Sequence, residues 1–235
     1  TNPLEMDETL AGVVAKLQDD PAYRALFKEA FGTEEVTTQR IGRSLAQFMG
    51  TMVSNNAKYD KHMRNEAGGE FSALEESGLT IFRSKCATCH TEPLFSDFSF
   101  RNNGLALVNN TQGMIDSGRG KITPFDASSF YKFKVPSLRN LKYTKPFMHD
   151  GRFTDIDQVL EHYATGVHQT PNLDPQLTNG IALTASDKEA IKAFLNTLND
   201  ETFVKDIRFQ ELSDALIHNI VTFKTSGRLR LEVLF

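Results

Sequence analysis

Tryptophan is absent from the chain, and cysteine occurs only twice in 235 residues. Positive charge is not in excess: 26 lysines and arginines meet 30 aspartates and glutamates, a formal net charge of −4. That balance excludes an obvious nucleic-acid binder, which is usually basic. No apolar run approaches the ~18 residues that a membrane span requires. Internal repeats and low-complexity tracts are lacking too. The first residue, Thr1, is not an initiator methionine, so an upstream segment, a signal peptide among the options, is expected to have been removed. What is present is ordinary globular usage, 40% apolar and 24% charged. The length suits one large domain or one and a half small ones.

Helical periodicity dominates both ends. Leu10, Val13, Val14 and Leu17 recur at helix spacing. Asp19-Asp20-Pro21 stops that helix and opens a second, through Tyr23, Leu26, Phe27 and Ala30 to Gly32. From Val36 to Ser54, Ile41, Leu45, Phe48, Met49 and Met52 share one face, with Thr37 or Thr38 as the cap. Ser72 to His90 reads as a helix with Leu74, Leu79 and Phe82 inward and a Ser72/Glu75 capping box. Helices are expected again at Asp155–Gly166, closed by its glycine, and at Thr184–Asp200. The latter has a Thr184/Asp187 capping box and a buried stripe of Ile191, Phe194, Leu195 and Leu198. Between them, Thr91 to His149 is rich in Asn, Gly, Ser, Asp and Pro and weak in periodicity. So long an irregular segment in a compact domain wraps something or carries function. The expected class is all-α with one long loop excursion. Leu231 to Phe235 reads as the start of an engineered protease site and is set aside; Ser213 to Arg230 has no reading.

Both thiols sit in Cys86-Ala87-Thr88-Cys89-His90. A thioredoxin-type redox pair wants a βαβ context, which is lacking here. A structural zinc site needs four ligands, and one pair plus His90 falls short. Cys-x-x-Cys-His is the signature of covalent c-type haem attachment. The chemistry explains the spacing: two thiols about one helical turn apart add across two vinyl groups of one porphyrin edge, and His90 then gives its imidazole to the iron. An attached haem also accounts for the loop, which can pack around it. The iron takes a second axial ligand, often Met or His and sometimes Tyr. Candidates downstream are Met114, Met148, His149, His162, Tyr163 and His168. A methionine is more often core filler than ligand. Tyr163 follows inward-facing Val159 and Leu160 and has packing as its default, and His162 and Tyr163 lie on different parts of one helix surface. Spacing does not choose among the six.

The order of motifs resembles the bacterial di-haem cytochrome c peroxidase and MauG family. The resemblance is carried by Thr1–Met6 (TNPLEM), Lys58–Met63 (KYDKHM), the helix into CATCH, Lys134–Phe153 (KVPSLRNLKYTKPFMHDGRF), Val159–Gly166 (VLEHYATG) and Ala193–Phe203 (AFLNTLNDETF). It spans Thr1 to about Phe209. The family has two c-type haems in two cytochrome-like domains, a peroxidatic one first and an electron-transfer one second. This chain has one motif, in the second position, which implies a cytochrome c-like haem domain with additional helices and a long haem-wrapping loop. Residues 1–70 would then lead from an N-terminal peroxidatic domain that this chain lacks. Residues 71–210 would form the haem domain, and 211–235 an extension with a tag remnant. A truncation, a proteolytic product or a second chain would each account for the missing part.

The resemblance implies one haem c held by Cys86 and Cys89 with His90 proximal, and a second haem in the missing domain. Tyr163 falls where the peroxidases carry a distal Met and MauG a Tyr, with Met148 as the alternative ligand. Glu5 matches an acid/base on the peroxide face of the other haem. Thr144 and Pro146 match positions whose backbone carbonyls help to bind Ca²⁺. His149 matches a histidine near the haem edge, with a structural hydrogen-bonding role. The family's tryptophan between the haems has no counterpart here. The implied activity is reduction of hydrogen peroxide, or its MauG-like use to oxidise a protein substrate. Electrons would come from a small cytochrome c or a cupredoxin, in the periplasm, with a homodimer admitted and no nucleic acid involved. A stand-alone mono-haem electron carrier without enzymatic activity is the alternative; an all-α binding module with an incidental Cys pair is the bland one.

Overall fold

A computed structural model describes residues 7–109 and 113–209. Glu5 and everything from residue 210 onward, including the expected 211–235 extension, lie outside the described residues. The chain divides into two units. One takes in described residues 7–53 and 203–209, the other Ser54–Thr202. Among the described residues, no helix is long and apolar enough to cross a membrane.

The first unit is built from helices with local start and stop signals. Thr9 caps α1 (Leu10–Asp19) by accepting from the Gly12 amide. Asp20 then caps α2 (Pro21–Phe31) through the Ala22 amide, with Pro21 placed where a missing N–H costs nothing. Gly32, at φ +76°, closes α2 and returns its N–H to the Lys28 carbonyl. Thr37 is the cap of α3 (Thr38–Thr51). Phe27 and Val36 are buried. The apolar face of α3 is not: Leu45, Phe48, Met49 and Met52 all stay exposed.

The second unit is organised by α5 (Ala73–Lys85) and α7 (Ala185–Asn196), the most extensively packed pair of helices. Both expected capping boxes form, Ser72 with Glu75 and Thr184 with Asp187. At their crossing the backbones nearly touch: a Cβ on Gly78 would stand 2.0 Å from the Ala190 carbonyl oxygen. Only glycine permits that approach. Around the crossing Phe82, Phe95, Phe194 and Tyr59 pack ring to ring, with centroids 4.9–6.1 Å apart. Ile191, Leu195 and Leu198 complete the core, as the stripe on α7 foretold. Tyr59 comes from α4 (Lys58–Met63), a helix that the periodicity did not reveal. Asp60, next to it, is buried and takes a two-pronged ion pair from Arg139, at 2.8 and 2.9 Å.

Three expectations fail locally. Leu74 does not face inward but is 49% exposed; it lies in the first turn of α5, ahead of the crossing. The helix from Ser72 stops at Lys85 instead of running to His90, because Cys86 leaves helical geometry at φ −123°. Gly166 does not cap an α-helix: α6 (Ile156–Glu161) passes into a π-helical turn, His162–Gly166, that ends at Val167. The long segment after His90 is irregular as expected. It contains a two-residue antiparallel ladder, β1 (Phe100–Arg101) with β2 (Phe133–Lys134), and three short 3₁₀ turns. The described fold is otherwise helical.

Candidate haem site

The motif is a pair of turns hung on the end of α5. The Cys86 and Ala87 amides both reach back to the Phe82 carbonyl, at 2.8 and 3.1 Å. Cys89 and His90 in turn bond the Cys86 carbonyl, at 3.2 and 3.0 Å. Phe82 is fully buried, so the core itself anchors the motif. Both cysteines are free thiols and half-buried. Burial pushes the Cys86 thiol up to about 11, the neighbouring Cys89 adding to it, and raises Cys89 as well. A catalytic redox cysteine needs the opposite, a lowered pKa. Among the described residues no three His, Cys, Asp or Glu side chains converge on a point that one metal ion could occupy. So Cys86, Cys89 and His90 do not form a zinc-like cluster.

His90 is held for the proximal role. Its Nδ1–H donates to the Phe95 carbonyl at 3.0 Å, which leaves Nε2 as the unprotonated nitrogen. Burial lowers its pKa and favours the neutral imidazole, while the nearby Phe95 and Pro136 carbonyls pull the other way. Phe95 is itself fully buried among the core rings.

Tyr163 belongs to the π-helical turn and is half-buried. Burial raises its phenol pKa, a hydrogen bond with Asn103 opposes this, and the Cys89 and Cys86 thiols add to the rise. The Asn103 amide also donates to the Met148 sulfur, at 3.4 Å. His162 donates Nε2–H to the Asn103 carbonyl at 2.9 Å. The adjacent His162 and Tyr163 rings lie edge to face, centroids 5.3 Å apart. His149 stacks face to face on Phe133, centroids 3.6 Å apart at 11°. Of the remaining candidates, Met114 is exposed, and His168 is exposed and bonds the Gly104 carbonyl through its own backbone amide. Thr144 and Pro146 lie on an exposed turn after the 3₁₀ segment Leu141–Tyr143.

Beside Cys89, Arg101 bridges Asp97 and Asp174, each at 2.8 Å. Burial works against the Asp97 charge, yet hydrogen bonds from Ser99 and Arg101 outweigh it and hold the carboxyl at about 2. Asn103, Phe95 and Arg101 were not legible as site residues: an Asn, a Phe and an Arg inside an irregular loop carry no spacing signal. The donor set fits a c-type haem: two thiols one turn apart and an imidazole with its tautomer fixed by the Phe95 carbonyl.

Comparison with known proteins points to one family. The model of the di-haem cytochrome c peroxidase family matches residues 1–68. Methylamine utilization protein MauG of Methylorubrum extorquens is 36% identical over 208 residues, which are 86% of this chain and 56% of that protein. Cytochrome c551 peroxidase of Nitrosomonas europaea is 34% identical over 164 residues, 68% of this chain and 47% of that one. The chain thus spans about half the length of these curated relatives. Among solved structures, a MauG-like protein associated with microbial copper homeostasis superposes with a TM-score of 0.74 at 26% identity, covering 87% of this chain and 66% of its own.

Proposed function

Since the chain belongs to the di-haem cytochrome c peroxidase family, we propose that it is the electron-transfer haem part of a peroxidase-like oxidoreductase. The whole enzyme reduces hydrogen peroxide or, MauG-like, uses it to oxidise a protein. The observation that carries the reading is the Cys86–His90 turn on the end of α5, with the His90 ring held through Nδ1–H by the Phe95 carbonyl. When bound, haem c supplies reversible one-electron chemistry at its iron. Cys86 and Cys89 anchor it. His90 presents Nε2 because Nδ1–H is committed to the Phe95 carbonyl. Tyr163 would give the iron an oxygen donor, with the Met148 sulfur as the alternative. His149, stacked on Phe133, packs the haem surroundings.

The rest of the reading depends on the half of the relatives that this chain does not span. There a second haem c would meet peroxide, with Glu5 as its acid/base. Carbonyls of Thr144 and Pro146 would hold a Ca²⁺, suited to hard oxygen donors. Residues 1–70 lead from that domain and 71–210 form the haem domain. A small cytochrome c or cupredoxin delivers electrons, and the periplasm is the compartment where haem c is attached. A second reading has one observation in its favour: a single haem motif in the chain suits a mono-haem electron carrier.

The experiment is an absorption spectrum, oxidised and reduced, with a pyridine haemochrome assay, on protein from a host that attaches haem c. One c-type haem per chain is expected, and a missing Soret band refutes the reading. Stopped-flow mixing of the reduced protein with hydrogen peroxide then separates the two roles. Turnover with a reduced donor favours the enzyme; oxidation without turnover favours the carrier.

A further inference from the structure

The β1–β2 ladder has two faces, and only one of them belongs to the candidate haem site. Side chains alternate across a ladder. Arg101 and Phe133, paired in register, face the site. Arg101 reaches Asp97 at 2.8 Å, the Asp97 amide bonds the Cys89 carbonyl at 2.9 Å, and Phe133 stacks on His149. Phe100 and Lys134, the other register pair, point the opposite way and are exposed. Phe98 is exposed beside them, with the Lys134 ammonium 4.8 Å from its ring centroid. The Arg119 guanidinium lies over the Phe100 ring at 4.1 Å. A haem on Cys86, Cys89 and His90 would lie against the first face and leave the second uncovered.

The charge on the second face is unspent. Arg119, Lys121, Lys132 and Lys134 have no ion-pair partner among the described residues. The Arg119 amide bonds the Lys132 carbonyl at 2.9 Å, which ties the two basic stretches together. Elsewhere in this unit Arg83, Lys85, Arg101, Arg139 and Arg152 are each paired. The acids of the same segment are turned to their own backbone and neighbours: Asp116 accepts from the Gly118 amide at 2.8 Å, and Asp126 from the Ser128 and Ser129 hydroxyls. In a chain of net charge −4, four unpaired cations around two exposed phenylalanines are a local exception.

We propose that this face docks an acidic redox protein, which sets carboxylates against Arg119, Lys121, Lys132 and Lys134 and an apolar spot against Phe98 and Phe100. The proposal rests on the haem reading of Cys86, Cys89 and His90 and gives the electron-exchange partner its charge. Arginine and aromatic side chains are concentrated where protein interfaces bind most strongly, and opposite charge around them steers the encounter. An anionic lipid surface is read by about four to eight clustered cations, whereas residues 116–134 hold four cations against two acids. Placement supports exchange as well as binding. Electron tunnelling falls steeply with distance, and Phe98 directly follows the residue whose amide bonds the Cys89 turn. The exchange is a single electron: the partner's centre is oxidised, the haem iron is reduced, and no bond is made or broken.

The test uses the haem-loaded protein and two probes of opposite charge, flavodoxin, an acidic flavoprotein, and mitochondrial cytochrome c, a basic haem protein. Calorimetry reads binding at about 0.01 M and about 1 M salt. Stopped-flow mixing reads the electron that leaves flavodoxin hydroquinone, which becomes the semiquinone. Flavodoxin is expected to bind, and high salt to weaken it at least about tenfold. Joint Arg119→Gln and Lys134→Gln changes are expected to weaken binding about tenfold and to slow electron transfer in proportion, with reduction by dithionite unchanged. Phe100→Ser is expected to weaken binding about tenfold at both salt concentrations. Lys192→Gln, the same charge lost from α7, is expected to leave binding and transfer as they were. Preference for cytochrome c, flavodoxin binding indifferent to salt or to the joint change, or no binding at all overturns the proposal. So does capture by vesicles of equal parts phosphatidylcholine and phosphatidylserine without flavodoxin binding, which assigns the face to a membrane. A protein without haem refutes the haem reading instead, and the haemochrome assay tells the two failures apart.

Discussion

Gly78→Ala offers a test in which the sign of the effect is informative. Alanine is the better helix former by about 1 kcal/mol, so on local grounds the substitution stabilises α5. The structure reverses that. The added Cβ would lie 2.0 Å from the Ala190 carbonyl oxygen and 2.7 Å from both the Ala190 carbonyl carbon and Phe194 Cβ. An ordinary carbon–oxygen contact is about 3.3 Å, so α5 and α7 must part by roughly 1.3 Å. Two of the three obstacles are backbone, which cannot swing aside. A gap of ~1 Å already forfeits up to about half of the dispersion well of the atoms it separates, and Leu79, Phe82, Ile191 and Phe194 face this seam. Overpacking costs about 1–3 kcal/mol in general, and a rigid backbone contact belongs at the upper end. After the helix-propensity gain, a net loss of about 2 kcal/mol is expected, or roughly 4–8 °C in Tm for a unit of this size. Thermal and urea unfolding of the haem-loaded protein, followed by far-UV circular dichroism, measures it. Gly42→Ala on α3 is the control, because nothing lies within 4 Å of its added Cβ; there the local term alone acts and a small gain is expected. A Gly78→Ala protein as stable as wild type, or more so, refutes the close-crossing argument. Because α5 ends in the Cys86–His90 turn, the same variant is also expected to disturb the haem spectrum.

Three further outcomes follow from particular contacts. Arg139→Met leaves Asp60 buried without its two-pronged partner, and a loss of about 3–5 kcal/mol in urea unfolding is expected; a change under ~1 kcal/mol would show that water reaches the carboxylate. Thr184→Ala removes the cap of α7 and is expected to cost about 1 kcal/mol, which Thr184→Ser should largely recover. The Asp97 carboxyl is held at about 2, below the ~3.9 of a free aspartate. Its stabilising contribution is therefore full above pH ~4 and is lost as pH falls through 2. Asp97→Asn is expected to flatten the acid limb of the stability profile in that window, and an unchanged slope there would remove Asp97 from the account.

What could be read from residues alone shares one property: it is local. Asp20-Pro21, Gly32, Ser72/Glu75 and Thr184/Asp187 each satisfy backbone groups within a turn of themselves, so their pattern determines where helices start and stop. The α7 stripe reports a buried face through helical periodicity, and Cys86-x-x-Cys89-His90 is a five-residue statement about one porphyrin edge. Other features needed the fold. Periodicity shows that α3 has an apolar face and that Leu74 is apolar, but not what covers them; Leu45 and Met49 stay exposed because burial is decided by neighbours and not by the pattern. The extra residue that turns α6 into a π-helix has no mark in the sequence. Neither has the choice of Phe95 as the acceptor for His90, nor Asn103, whose partners Met148 and His162 stand 45 and 59 residues away. Contacts at such separations follow no period, and they exist only once α5 and α7 have met over Gly78 and the loop has closed around the end of α5. Sequence by itself determined where most helices start, their caps and the Cys-x-x-Cys-His motif, because these are written in short-range hydrogen bonds and spacing. Tertiary structure alone decided that Asn103 meets the Met148 sulfur and His162, because that depends on where distant backbone segments come to rest.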